Sequence, residues 1–128
     1  MDGNINQAKI LIVDDEEPNI QLLDVLLRHA GYNNLKSTKD SRQVLPLFME
    51  FKPDLVLLDL QMPHLDGHAI MKQIGSRVPP GNYLPILVLT ADIELETKQK
   101  ALSGGAKDFL NKPFDRTEVL LRIRNLLE

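Results

Sequence analysis

Short apolar runs alternate along the chain with longer stretches in which apolar residues recur at helical spacing. Several runs, above all 55–59, are apolar at nearly every position, which is typical of a parallel strand covered on both faces. The pattern predicts strands at 9–13, 35–38, 55–59, 86–90 and 108–111, and helices at 18–30, 40–51, 66–77, 94–103 and from 115 onward. About five β–α units in succession predict an α/β fold with a parallel sheet between two layers of helices.

Capping and helix-breaking residues support these boundaries. Gly31 should stop the first helix, and Pro46 inside the second should kink it or delay its regular start. Asp66 is the predicted N-cap of the third helix, and Asp115 with Glu118 forms a predicted capping box for the last. The inward positions predicted for the first helix are Leu22, Leu23, Leu26 and Leu27.

Acidic, hydroxyl and basic residues follow the predicted strands. The first strand runs into Asp14 and Asp15, the third ends at Asp59, the fourth ends at Thr90, and the fifth precedes Lys112. In a parallel sheet, ligands bind beyond the carboxyl ends of the strands, so these side chains should meet. Crowded carboxylates repel one another, and oxygen ligands alone favour Mg²⁺ over Zn²⁺ as the neutralising ion. With Mg²⁺ and a lysine present, a carboxylate oxygen could attack a phosphoryl group.

Composition excludes several classes of protein. The length of 128 residues suits one domain, and the lack of cysteine excludes disulfides, thiolate metal sites and a cysteine nucleophile. With 15 Lys and Arg against 18 Asp and Glu, the chain has no overall basic footprint for nucleic acid or anionic lipid. No apolar run reaches the ~20 residues that span a bilayer, and the first residues lack the features of a signal peptide. We therefore expect a cytoplasmic domain that contacts neither membrane nor nucleic acid directly.

From Lys9 to Leu127 the chain resembles the receiver domain of two-component response regulators. The matching segments are ILIVDDEEPN, PDLVLLDLQMPHLDG, PILVLTA and GAKDFLNKPF. The resemblance implies a doubly wound, flavodoxin-like (βα)5 fold with a five-stranded parallel sheet in the order 2-1-3-4-5. We expect residues 1–128 to form a single receiver domain, either alone or as the N-terminal part of a longer protein.

The resemblance also implies a phosphoacceptor and a cofactor. Asp59 would accept the phosphoryl group, and Mg²⁺ would be the cofactor. Asp15 would be a direct ligand of the metal, and Asp14 would act mainly through a metal-bound water. Asp59 itself and the backbone carbonyl of Gln61 would complete the protein's share of the coordination.

Further positions take roles by the same resemblance. Thr90 and Lys112 would contact the phosphoryl group, and the bond before Pro113 would be cis. Phe109 occupies the place of the family's switch aromatic, often a tyrosine, so that Thr90 and Phe109 would form the switch. Gln61, Ala91 and Asp92 would tune the rate of dephosphorylation, because they flank the path of the attacking water.

The implied function is a phosphorylation-controlled switch rather than a turnover enzyme, with a histidine kinase or a histidine phosphotransfer protein as the phosphodonor. The signal would leave through the helix at 94–103, the strand at Phe109 and the last helix, here called the output face, toward an unknown output domain or target. That face would also be the place of a homodimer.

Three other interpretations are weaker. A phosphatase with an aspartyl-phosphate intermediate would carry Asp-x-Asp after the first strand, where this chain has Asp14-Asp15. A pseudo-receiver would lack at least one functional position. His64 and His68 have the spacing of helical metal ligands, but His64 precedes the predicted N-cap at Asp66, so the pair should not share a helix face.

Overall fold

A computed structural model describes residues 7–91 and 94–128 of the chain. Within those ranges the strands are β1 (Lys9–Val13), β2 (Asn34–Thr38), β3 (Leu55–Asp59), β4 (Ile86–Thr90) and β5 (Asp108–Asn111). The α-helices are α1 (Glu17–His29), α2 (Val44–Phe51), α3 (Gly67–Gly75), α4 (Leu95–Ser103) and α5 (Arg116–Leu127), with a 3-10 turn at Ser41–Gln43 before α2.

The strands pair in parallel in the order β2-β1-β3-β4-β5, which confirms the expected doubly wound, flavodoxin-like fold. The register brings the strand ends to one level. Val13 of β1 is paired with Leu58 of β3, so the next residues, Asp14 and Asp59, are neighbours across the sheet. On the other side of β3, Asp59 pairs with Leu89, so that Thr90 lies one position beyond it.

Side chains from opposite faces of the sheet form two separate cores. One, the α1/α5 core, contains Ile10, Ile12, Leu55, Leu57, Leu87 and Leu89 from the strands, with Ile20, Leu23 and Leu27 of α1 and Val119 and Ile123 of α5. The other, the α2/α3/α4 core, contains Leu11, Val13, Val56, Leu58, Ile86 and Val88, with Val44, Ile70, Met71, Ile74 and Ala101 from the three helices. Because successive residues of a strand point to opposite faces, β1, β3 and β4 each contribute to both cores.

Two local predictions require correction or refinement. Leu22, expected to face inward, is 43% exposed, because the buried stripe of α1 runs through Ile20, Leu23 and Leu27. In the second helix, regular α-helix begins only at Val44, which leaves Pro46 in the first turn. Proline is tolerated there, since the first backbone N–H groups of a helix have no partner within it.

The predicted caps are present at both aspartates. The Asp66 carboxylate accepts a hydrogen bond from the Ala69 N–H at 2.9 Å. The Asp115 carboxylate accepts one from the Glu118 N–H at 2.9 Å, which is half of the predicted capping box. The Glu118 carboxylate lies 3.6 Å from the Arg122 guanidinium. In the described ranges no helix combines the length and apolar character needed to cross a bilayer.

Candidate functional site

Three carboxylates converge beyond the ends of β1 and β3. Oxygen atoms of Asp14, Asp15 and Asp59 all lie within 4.8 Å of one another. Asp14 is completely buried and Asp59 is 4% exposed, whereas Asp15 is the most exposed of the three. The β1–β3 register places Asp14 beside Asp59, and Asp15 follows Asp14 in the chain.

Hydrogen bonds hold the Asp14 carboxylate at both of its oxygens. Its Oδ1 accepts from the Glu16 N–H at 2.9 Å. Its Oδ2 accepts from the Asn19 side-chain amide at 3.4 Å and lies 3.1 Å from the Lys112 ammonium. These contacts compensate for the burial of a charge. They also leave Asp15, with its greater exposure, better placed for direct contact with an ion.

Lys112 follows the edge strand β5, and its ammonium forms ion pairs with both buried carboxylates. Its Nζ is 3.1 Å from Asp14 Oδ2 and 3.4 Å from Asp59 Oδ2, and the side chain is 15% exposed. Burial alone would lower the pKa of this ammonium, but hydrogen bonds and attraction to Asp14 and Asp59 raise it above its ordinary value. Lys112 is therefore charged at neutral pH. The peptide bond between Lys112 and Pro113 is cis.

The Asp59 carboxylate is buried like that of Asp14 but accepts fewer hydrogen bonds. Its Oδ1 accepts a hydrogen bond from the Gln61 N–H at 3.2 Å. Burial raises the pKa of the Asp59 carboxyl to about 7, against the lowering effects of the Gln61 N–H and the Lys112 ammonium and together with repulsion from Asp14. In the metal-free protein this carboxyl is thus partly protonated near pH 7. Once ionised, it is a more basic nucleophile than an ordinary aspartate.

Thr90 lies at the end of β4, the strand next to the one that ends at Asp59. Thr90 is 3% exposed at the end of β4, and its carbonyl accepts a hydrogen bond from the Lys112 N–H at 2.8 Å. Ala91 and Gln61 are exposed. Asp92, which was assigned a part in tuning dephosphorylation, lies outside the described residues.

Phe109 stands apart from this cluster, on the neighbouring strand β5. Its ring is half-buried and packs against the α2/α3/α4 core. The ammonium of Lys98, from α4, lies 4.6 Å from the ring centroid. A cation–π contact of this kind ties the ring to α4.

The donor set suits a hard dication. Three carboxylates face one ammonium, so the ionised cluster carries an excess of negative charge that a divalent cation would neutralise. All of the side-chain donors are oxygen atoms, which is the ligand set that Mg²⁺ prefers. The residues present therefore fit Mg²⁺.

Two side chains of this region were not singled out from the sequence. Asn19 donates to Asp14, and Ser41 contacts the loop that carries Gln61. Asn19 lies within the segment ILIVDDEEPN, so its closeness to the acidic pair was a usable signal. Ser41 offered none, because the loop residues it contacts lie 22 and 24 positions further along the chain.

Known proteins with similar sequences are regulators. The family model of the response regulator receiver domain matches residues 10–124. The response regulator MprA of Mycolicibacterium vanbaalenii is 40% identical over 120 residues, which are 94% of this chain and 50% of that protein. The alkaline phosphatase synthesis transcriptional regulatory protein PhoP of Bacillus subtilis is 39% identical over 119 residues, 93% of this chain and 48% of that protein. The chain thus spans about half the length of the curated relatives it matches.

Solved structures show the same architecture. The chemotaxis protein CheY4 of Vibrio cholerae is similar with a TM-score of 0.84 and 30% identity, covering 94% of this chain and 99% of that one. A two-component response regulator from Clostridium difficile is similar with a TM-score of 0.86 and 26% identity, covering 94% and 96% of the two chains.

Proposed function

This chain belongs to the response regulator receiver domain family, and on that premise we propose that it is a phosphorylation-controlled switch whose phosphoacceptor is Asp59. The observation that carries the assignment is the position of this carboxylate. It is buried at the end of the central strand, beside two further acids and 3.4 Å from a lysine ammonium. The phosphodonor would be a histidine kinase or a histidine phosphotransfer protein.

The proposed reaction is a transfer between two side chains. An ionised oxygen of Asp59 attacks phosphorus and forms an O–P bond, while the P–N bond to the donor's phosphohistidine breaks. The imidazole leaves with the bonding electrons and takes up a proton. Lys112 favours the ionised form of Asp59, against the effect of burial, and would then offer its ammonium to a phosphoryl oxygen. Thr90, buried at the end of β4, would donate its hydroxyl to another phosphoryl oxygen.

Mg²⁺ is the cofactor that we propose. Asp15, Asp59 and the Gln61 carbonyl would hold it directly, and Asp14, whose oxygens already accept hydrogen bonds, would act through a water. When bound, the ion supplies positive charge that stabilises the oxygens of the transferring phosphoryl group.

The lifetime of the phosphorylated form is proposed to depend on Gln61 and Asp92, with Ala91 small enough to leave a path for water. Gln61→Ala and Asp92→Ala should each change the rate of phosphoryl loss several-fold, a barrier change on the order of 1 kcal/mol. Decay is followed by intact mass after removal of the phosphodonor. Unchanged decay in both variants would remove them from the mechanism.

The remaining parts of the proposal concern the whole protein. Residues 1–128 would act as one cytoplasmic receiver domain, and its self-catalysed gain and loss of phosphoryl would make it a switch rather than a turnover enzyme. The signal would leave through the output face, formed by α4, β5 with Phe109, and α5. The recipient would be a further domain or a separate target, and the same face would support a homodimer.

The test of the phosphoacceptor uses acetyl phosphate and Mg²⁺, with intact mass as the readout. The wild-type chain should gain one phosphoryl group, and Asp59→Asn should gain none. Asp66→Asn is the matched control, because it alters an aspartate of the same loop while asparagine can still cap α3. The assignment fails if Asp59→Asn is phosphorylated at the wild-type rate.

A further inference from the structure

A buried hydroxyl lies against the loop that carries Gln61. Ser41, in the 3-10 turn before α2, is 1% exposed. Its Oγ donates to the Pro63 carbonyl at 2.6 Å and accepts from the Leu65 N–H at 3.0 Å. The same two loop groups also bond each other, with Leu65 N to Pro63 O at 3.0 Å. The serine hydroxyl therefore bridges both ends of a three-residue turn.

The bridged turn has a strained centre. His64 lies between the two bonded residues with φ of 73°, a left-handed value that non-glycine residues seldom adopt. A hydrogen bond from residue i+2 to residue i around such a residue defines a γ-turn, and the form with positive φ is the rare, strained one. Strain of this kind persists only where neighbouring contacts hold it. The Ser41 hydroxyl supplies two of those contacts from a distant part of the chain.

The loop is held at its base as well as at this turn. The Gly67 N–H donates to the Leu60 carbonyl at 2.8 Å, which closes the segment from 60 to 67 into a compact loop. Gln61 is the first residue inside that closure, and its N–H donates to Asp59. Its backbone orientation therefore depends on the path that the rest of the loop takes, and the turn at His64 sets that path.

We propose that Ser41 is a positioning residue for the metal site: by clamping the γ-turn it fixes the backbone of Gln61 toward Asp59 and the bound ion. The part of this inference that concerns phosphoryl transfer rests on the proposed function. The part that concerns Mg²⁺ affinity does not need any phosphoryl transfer. Groups that orient metal ligands typically change affinity by tenfold or more when they are removed.

The experiment compares Mg²⁺ dissociation constants from amide chemical-shift titrations. Ser41→Ala should bind Mg²⁺ about tenfold more weakly, and the Gln61 and Leu65 amide resonances of its metal-free form should shift. Ser41→Thr keeps the hydroxyl and should restore most of the affinity. Thr38→Ala is the matched control, because it removes a half-buried hydroxyl nearby whose bonds run to Asp40 instead of the loop.

A phosphorylation assay adds a second readout. With acetyl phosphate, Ser41→Ala should react more slowly at low Mg²⁺ and approach the wild-type rate at saturating Mg²⁺. If the wild-type chain takes up no phosphoryl group, the proposed function fails, and the Mg²⁺ comparison still decides the role of Ser41.

A purely structural role for Ser41 predicts a different result. Ser41→Ala would then unfold at a lower temperature but bind Mg²⁺ within twofold of wild type, with unchanged Gln61 resonances, and the inference would be overturned. Should Ser41→Ala not fold, Ser41→Cys replaces the hydroxyl by a thiol of similar size and weaker hydrogen bonding. Weaker Mg²⁺ binding by Ser41→Cys would support the positioning role, and binding within twofold of wild type would overturn it.

Discussion

At the scale of single residues, two buried carboxylates share one lysine and are held differently. Asp14 accepts two hydrogen bonds besides its contact with Lys112, and it is fixed in place. Asp59 has one backbone donor in addition to Lys112, and burial dominates its pKa. The difference agrees with the proposed roles, in which Asp14 positions the other groups of the site and Asp59 is the phosphoacceptor.

The raised pKa of Asp59 predicts a pH-dependent affinity for Mg²⁺. Below about pH 7 the metal-free carboxyl holds a proton, which must leave before the oxygen can bind the ion. Affinity should therefore be nearly level above pH 7 and fall below it, by about tenfold between pH 8 and pH 6. Titrations followed by amide shifts at both values measure this.

The control for the pH effect is Asp59→Asn, which has no proton to release at this position. Its weaker binding should lose the dependence over the same range. Equal dissociation constants at pH 6 and pH 8 in the wild-type chain would contradict the assignment of the raised pKa to Asp59.

The residues of the site differed in how far the sequence could predict them. Asp14 and Asp59 follow or end apolar strands and Lys112 directly follows β5, and strand ends meet at one edge of a parallel sheet, so their convergence was predictable. Ser41 was not, because its role depends on the conformation of a loop more than 20 positions away. The strained φ of His64 likewise has no signature in the sequence.

At the scale of elements, the start of α3 packs directly on the backbone at the end of β3. A Cβ on Gly67 would lie 2.7 Å from Leu60 Cα and 2.8 Å from the Asp59 carbonyl oxygen. Both are backbone atoms, so neither can move away without displacing the main chain at Asp59, the proposed phosphoacceptor. Gly67 lies in regular α-helix, which any residue can adopt. Glycine is therefore needed at this position because a side chain would not fit, and not because of its backbone freedom.

This packing predicts that Gly67→Ala destabilises the domain by about 1–3 kcal/mol, the range for overpacking. Gly75→Ala, in the last turn of the same helix, is the matched control, because a Cβ there meets nothing within 4 Å. It should leave stability unchanged or raise it by up to about 1 kcal/mol. Urea unfolding measures both. Equal stability of Gly67→Ala and wild type would refute the close-packing argument.

The helix starts agree with the sequence prediction where a capping side chain determines them. The buried face of α1 differs from the prediction because tertiary packing determines it. Asp66 and Asp115 cap their helices as local rules predict. Leu22 is exposed because the face of α1 that packs on the sheet runs through Ile20, Leu23 and Leu27. The spacing of the leucines predicts an apolar face on this helix, but it does not determine which of them are buried against the sheet.

At the scale of the whole molecule, the strand order is what brings the site together, and periodicity alone does not specify it. Apolar runs predict that strands exist, but a run of Leu and Val does not determine which neighbour it pairs with. The order 2-1-3-4-5 was available only from the family resemblance. It places the β1 and β3 ends side by side, and the β5 end with Lys112 within reach of both through β4.

The path from the site to the output face predicts long-range changes on activation. Binding of beryllofluoride, a phosphoryl mimic, should draw Thr90 toward Asp59 and free space that the Phe109 ring can enter. Because the Lys98 ammonium lies over that ring, α4 should respond as well. Amide resonances of Phe109 and of residues 95–103 should therefore shift when beryllofluoride and Mg²⁺ are added.

Asp59→Asn with the same additions is the control and should show no such shifts. Changes restricted to the loops after Asp14, Asp59 and Lys112 would mean that the output face lies elsewhere. A sedimentation velocity run on the same samples tests the homodimer, which should appear only in the activated wild-type chain.

Because β3 contributes to both cores, its amide hydrogens should exchange with solvent very slowly. Every residue of β3 is buried, and its side chains alternate between the α1/α5 core and the α2/α3/α4 core. Its amide hydrogens can then exchange with solvent only when both cores open together, which amounts to global unfolding. Helices α3 and α4 are both nine residues long, but α3 buries four residues and α4 only Ala101. Amide exchange in α4 should therefore occur through local opening at a low free-energy cost. The proposed phosphoacceptor would then lie on the slowest-exchanging strand of the domain, and the proposed output face would include one of its fastest-exchanging helices.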